Sequence, residues 1–136
     1  MRGFMQFDGM RAAEARAFSE KWLPAWTGNR PDLLASFYSM DAVYSDPAVP
    51  GGVRGHDAIL RYFSKLLGRN PDWVWTHTGS IPMQDGFLNH WHASIPVAGH
   101  TIEADGVCTV QLRDSLIYAN HVYFDRSELL RASSQS

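Results

Sequence analysis

Two hydrophobic periods divide this chain of 136 residues at Asn70-Pro71. Before that step, apolar side chains recur at helical spacing; after it, they alternate. Phe18, Trp22 and Trp26 fall at i, i+4 and i+8 and predict a helix from about Gly9 to Thr27, with Asp8 as its N-cap and Glu14 early in it. Pro24 should bend or loosen its last turn, and Gly28-Asn29 should end it. Pro31 and Asp32 start a shorter helix through Leu33, Leu34, Phe37 and Tyr38. A third helix is expected from about His56 to Leu67, burying Ile59, Phe63, Leu66 and Leu67, with Gly68 as its C-cap.

The period-two region predicts four strands: Asp72 to Ile81, Gly86 to Pro96, His100 to Arg113 and Leu116 to Asp125. Their connections are hairpin-sized, so the sheet should be largely antiparallel. Side chains alternate between faces. Phe87, Asn89, Trp91, Ala93 and Ile95 should face the helices, as should Ala104, Gly106, Cys108, Val110 and Leu112. In the last strand Leu116, Tyr118, Asn120, Val122 and Phe124 form one row, opposite His121, Tyr123 and Asp125. In the first, the row of Trp73, Trp75 and His77 is placed inside, against Val74, Thr76 and Thr78. The tail from Ser127 to Ser136 should fray, leaving a core from about residue 8 to 130.

Between helices and meander lies Ala42 to Gly55. It opens as a short strand, breaks at Asp46-Pro47 and continues as a Pro-Gly-Gly loop. Strand parity puts Tyr44 and Asp46 on one face. Asp46 has two readings: a cap on its own turn, or a carboxylate placed for proton transfer beside a tyrosine.

Length fits one domain. Five Trp, five Tyr and seven Phe make the chain rich in large rings, which fill cores and line pockets alike. The net charge is −2, with Lys and Arg scattered, which argues against a nucleic-acid surface. Cys108 is the single cysteine, so no intrachain disulfide or cysteine-rich zinc site is possible. The six histidines include no i, i+4 pair on a helix, and His90 and His92, which share a strand, lie on its outer face, so no metal is expected. Pro-Gly-Gly-Val-Arg-Gly lacks the Lys-Ser/Thr of a phosphate loop. No apolar leader or membrane-length run is seen, which predicts a cytoplasmic protein with no membrane partner.

The stretch Leu-Leu-Ala-Ser-Phe-Tyr-Ser-Met-Asp-Ala-Val-Tyr-Ser-Asp-Pro, the helix entry Val-Arg-Gly-His-Asp-Ala-Ile-Leu-Arg-Tyr-Phe, Asn-Pro-Asp-Trp-Val-Trp and the closing Val-Tyr-Phe-Asp-Arg-Ser-Glu-Leu-Leu together carry a resemblance. From about Phe18 to Leu130 the chain resembles the SnoaL-like (polyketide cyclase-like) branch of the nuclear transport factor 2-like superfamily. That resemblance implies an α+β cone: three N-terminal helices packed on a strongly bent, mainly antiparallel sheet, with an apolar pocket between them. It also implies a homodimer through the outer sheet face, here His90, His92, Thr109, Gln111, His121 and Tyr123.

The chemistry carries over in part. Ketosteroid isomerases look similar across the centre, and their proton-shuttling aspartate falls on Asp46. Their oxyanion tyrosine falls near Lys21 or Trp22 and their second acid at about Cys108, so steroid isomerisation is not implied. The aspartate and histidine of SnoaL-type cyclases fall on Val122 and Cys108, so that apparatus is missing. Scytalone dehydratase-like members pair an aspartate with pocket histidines, and His77 is the histidine placed inward here.

The expected function is therefore a small-molecule enzyme acting on an apolar cyclic or aromatic metabolite by cofactor-free isomerisation, dehydration or cyclisation. Asp46 would be its general base, and Tyr44 and His77 would donate to an oxyanion. Trp22, Trp26, Tyr38, Phe63, Trp75, Trp91, Cys108 and Asn120 would contact the substrate. Taken singly, the six aromatic ones are core residues first and ligand contacts second; as a set they imply an apolar aromatic or cyclic ligand, and Cys108 reads as a small filler rather than a nucleophile. The alternatives are a ligand-binding module with the same pocket and a protein–protein adaptor using the outer face.

Overall fold

The computed structural model describes residues 10–134. Its elements run α1 (Ala12–Trp22), a 3₁₀ turn (Leu23–Trp26), α2 (Pro31–Ala35), β1 (Tyr38–Asp46), β2 (Val49–Arg54), α3 (His56–Arg69), β3 (Val74–Met83), β4 (Gly86–Val97), β5 (His100–Arg113), β6 (Leu116–Tyr123) and α4 (Ser127–Ser134). The six strands form one sheet in the order β2-β1-β6-β5-β4-β3. Every pairing is antiparallel except β1 with β6, which is parallel. This is the α+β architecture, helices on a curled sheet, that the pattern predicts.

The N-terminal helix changes character where the proline enters. Arg11, not Asp8, occupies the N-cap of α1, and its N–H donates to Glu14 Oε1 at 2.8 Å; Asp8 and Gly9 lie outside the described residues. With Pro24 in its first turn, the chain tightens into the 3₁₀ segment, turning Leu23, Ala25 and Trp26 inward. The segment is then tied to the start of the meander: Trp73 Nε1 donates to Trp26 O at 2.6 Å, and Thr27 Oγ1 to Trp73 O at 2.9 Å.

Five expectations need correction, the first being the end of α3, which runs through Gly68 to Arg69 with Asn70 as its C-cap. The second helix stops at Ala35, and Tyr38 already belongs to β1, because Ile117 N donates to Phe37 O and draws the chain into the sheet. The Pro-Gly-Gly stretch is not a loop but part of β2, an edge strand, where a proline removes no ladder bond that a neighbour needs. In β6 the single row breaks at Tyr118: Gln111 pairs with Ala119 but Leu112 with Ile117, leaving Tyr118 bulged. Ile117 therefore points inward, fully buried, while Leu116 and Tyr118 turn outward. Finally, the tail does not fray at Ser127. Asp125 Oδ1 accepts from Ser127 N at 2.9 Å and starts α4, whose Leu129 and Ala132 pack on the core.

The inner rows of β4 and β5 stand as expected: Phe87, Asn89, Trp91, Ala93 and Ile95 are buried, with Cys108 and Val110 beside them. At the start of β3, Trp73 just before it is buried and Val74 exposed, so the aromatic row faces the helices. One glycine fixes the geometry of the centre. A Cβ on Gly106 would stand 2.5 Å from Trp91 Cζ2 and 2.8 Å from Tyr123 O, so only a residue without a side chain lets the Trp91 indole lie across β5.

Candidate functional site

Asp46 ends β1, directly before the turn into β2, and its carboxylate is the centre of a four-donor arrangement. Oδ1 accepts from Ala48 N at 2.8 Å and Val49 N at 3.1 Å. Oδ2 accepts from Tyr44 Oη at 2.9 Å and Tyr62 Oη at 2.8 Å. The two sequence readings of Asp46 thus share one side chain: one oxygen caps the turn, the other sits between two phenols. A carboxylate offers about four acceptor positions, and all four are engaged. Tyr44 reaches Asp46 from two residues back on the same strand face, while Tyr62 comes from α3, one helical turn from its buried stripe.

Burial holds both phenols protonated. Desolvation, followed by the neighbouring Asp46 charge, pushes Tyr44 well above its ordinary range; desolvation, then the hydrogen bond to Asp46, does the same to Tyr62. Tyr44 is fully enclosed and Tyr62 half-buried. The rings lie 5.7 Å apart.

Tyr44 and Asp46 form part of the wall of a cavity of about 130 Å³ between the helices and the sheet, with Tyr62 outside its lining. Five indoles line it, Trp22, Trp26, Trp73, Trp75 and Trp91, which are all the tryptophans of the chain. Their rings interlock edge to face, Trp75 against Trp91 at 4.5 Å and against Trp73 at 5.0 Å. Cys108 and Val122 form the floor from the sheet, and Phe124, Arg126 and Leu129 close the side formed by the C-terminal segment. Burial lifts the Cys108 thiol to about 12, which suits a wall residue and not a nucleophile.

Of the residues expected to bind substrate, Trp22, Trp26, Trp75, Trp91 and Cys108 line the cavity with Tyr44 and Asp46. Tyr38, Phe63 and Asn120 do not. They form a layer behind it, where Tyr38 Oη donates to Asn120 Oδ1 at 2.8 Å and Asn120 Nδ2 to Thr109 O at 3.0 Å. The Trp22 N–H faces the Tyr38 hydroxyl without hydrogen-bond geometry. His77 is also elsewhere. Its Nδ1 pairs with Asn89 Oδ1, and it lines a separate recess with Arg16, Ser19 and Glu20. The reason is the direction of β3: Trp75, two residues earlier on the same face, lines both spaces and separates them.

Sequence reasoning missed Tyr62 and Arg126. Tyr62 precedes Phe63, the residue that carried the helical stripe, and so read as flank. Arg126 fell just before a tail that was expected to fray. Among the described residues no group of histidine, cysteine and carboxylate side chains is arranged to hold a metal, and no helix is long and apolar enough to cross a membrane.

The SnoaL-like domain pattern matches residues 19–120, most of the chain and the whole of β1 to β5. The chain belongs to the SnoaL-like family. Among curated protein sequences none matches it. Solved structures confirm the fold at low identity. A protein of ketosteroid isomerase-like fold from Catenulispora acidiphila, solved in complex with trimethylamine, is similar with a TM-score of 0.77 at 19% identity, covering 86% of this chain and 92% of its own. A putative SnoaL-like polyketide cyclase from a Jannaschia species follows at 0.76 and 11%, covering 92% and 94%. The Mycobacterium tuberculosis protein RV0760c, in complex with estradiol-17β-hemisuccinate, has a TM-score of 0.68 at 17%, covering 85% and 95%.

Proposed function

We propose that this SnoaL-like protein is a small-molecule enzyme that moves a proton on an apolar cyclic or aromatic ligand without a cofactor, by isomerisation, dehydration or cyclisation, with Asp46 as general base. The observation that carries this reading is the position of Asp46: it is the one carboxylate in the lining of the tryptophan cavity among the described residues. An apolar, ring-lined space supplies binding by burial, and a carboxylate at its wall supplies the base. Tyr44 and Tyr62 act as positioning residues. They hold Oδ2 in place, and Tyr62, half-buried on α3, is the donor with room to yield when a substrate C–H approaches. The small molecules held by the trimethylamine and estradiol-17β-hemisuccinate complexes support a ligand site in this fold.

The second reading, a binding module without catalysis, is favoured by the full hydrogen-bond complement of Asp46 and by the placement of His77 outside the cavity. One experiment separates the two. The protein is incubated in D₂O with a panel of monocyclic enolisable ketones, and deuterium uptake beside the carbonyl is followed by NMR. Catalysis predicts exchange above the buffer rate that falls about 100-fold or more in Asp46→Asn, the usual range for a general base. Ketones that bind without accelerated exchange identify a binding module.

The same reading includes a homodimer through the outer sheet face. There His92 sits between Asp105 and Glu103, and His121 Nδ1 meets Ser45 Oγ at 2.6 Å, beside exposed Tyr123. Sedimentation at tens of micromolar should show a dimer; monomer alone overturns that part.

A further inference from the structure

Resting on the ligand-site reading above, we infer that the cavity selects a single-ring ligand bearing a carboxylate, with the ring among the tryptophans and the carboxylate on Arg126. Size comes first. A dry cavity of about 150 Å³ takes one benzene, and this one measures about 130 Å³, which matches one ring and excludes a fused-ring skeleton from its interior.

Charge and hydrogen-bond balance come second. The acceptor in the wall, Asp46, has all its positions filled. The Asn70 side-chain N–H₂ donates to Leu66 O at 2.9 Å, which leaves its neutral Oδ1 as an acceptor. Donors, in contrast, are left over. The indole N–H groups of Trp26 and Trp75 are buried with no hydrogen-bond partner among the described residues. The guanidinium of Arg126, half-buried at the cavity wall, has neither an ion pair nor a hydrogen bond to another described side chain. Arg126 and Arg69 both act on the Tyr62 hydroxyl, and of the two Arg126 lines the cavity. A wall with an unpaired cationic donor and no spare anionic acceptor is complementary to a ligand that brings an anionic acceptor. A guanidinium in a partly dry setting prefers a carboxylate, which it grips with two parallel hydrogen bonds.

The competing occupant is an alkylammonium held against the ring faces. Arg126 at the wall repels its charge, and Asp46 reaches its N–H groups only where Tyr62 gives up its hydrogen bond.

The test uses tryptophan fluorescence, since every tryptophan of the chain lines the cavity. Three matched probes are titrated at low salt: phenylacetate, neutral phenylacetamide and cationic phenethylamine. Phenylacetate should bind roughly 10-fold more tightly than phenylacetamide, the usual value of hydrogen bonds to a charged group. Arg126→Gln should abolish that preference while leaving phenylacetamide affinity within about twofold, and Arg126→Lys should restore part of it. Circular dichroism checks that each variant is folded. The inference is overturned if the preference survives in Arg126→Gln, if phenethylamine binds best, or if none of the three binds. Because the readout is binding, failure here leaves the Asp46-dependent exchange standing, and loss of exchange leaves the charge preference standing.

Discussion

Two polar clusters on opposite faces of the same sheet use the same bond chemistry in opposite surroundings. On the inner face, Asp46 takes hydrogen bonds from Tyr44 and Tyr62 beside an aromatic cavity. On the outer face, His92 bridges Asp105 at 2.9 Å and Glu103 at 2.6 Å, in contact with water. Inside, desolvation is the first cause of the raised tyrosines; outside, hydrogen bonds are the first cause of the raised His92 and lowered Glu103. Burial makes a partner obligatory, whereas a solvated group that loses its partner turns to water. The proposed chemistry therefore goes with the inner cluster, and the outer one is solvated in the single chain and lies on the face proposed for the dimer.

The largest expected effect of breaking this comparison is Asp46→Ala. It strands the buried Tyr44 hydroxyl and the N–H groups of Ala48 and Val49, and should cost about 3 kcal/mol in urea unfolding. Gly106→Ala comes next. Its methyl group must displace Trp91 or the Tyr123 carbonyl, so a loss of about 1–3 kcal/mol is expected, with a changed tryptophan spectrum as the second readout. Tyr44→Phe should cost about 1–2 kcal/mol and Tyr62→Phe less, because water can reach Asp46 once the half-buried Tyr62 hydroxyl is gone.

The smallest effect belongs to the outer cluster. His92 is raised above its ordinary 6.5, so its contribution is complete below that pH and fades as pH rises through the raised value. Glu103 is lowered below its ordinary 4.5, so its part is complete above that pH and fades as acid protonates it. The stability difference between wild type and His92→Gln should therefore be greatest between those limits, shrink on both sides and vanish in high salt. A difference that keeps growing above neutral pH would contradict the assignment.

The same contrast explains what the sequence made legible. Periodicity marks burial, so the inner rows of β4 and β5 and the inward face of the tryptophans were readable from spacing, as was the shared face of Tyr44 and Asp46, whereas the pocket itself was implied by the family resemblance. A bulge is invisible to periodicity, and Tyr118 shifted half of β6 by one residue. Tyr62 and Arg126 enter the site from one side of a helix and from the residue before another, where neither lies in an apolar row. His77 was placed on the correct face, yet a face is wider than a cavity, and Trp75 divides it. Parity assigns a side chain to a side of the sheet; only packing assigns it to a site.

The most direct measurement compares one variant from each cluster in the same assay. Deuterium exchange into a monocyclic ketone that binds the wild type is followed at neutral pH for Asp46→Asn and His92→Gln, both verified as folded. A loss of about 100-fold or more is expected for Asp46→Asn and a rate within about twofold of wild type for His92→Gln, whose cluster lies on the opposite face of the sheet from the cavity. Equal rates in the two variants, or a greater loss in His92→Gln, would contradict Asp46 as the base.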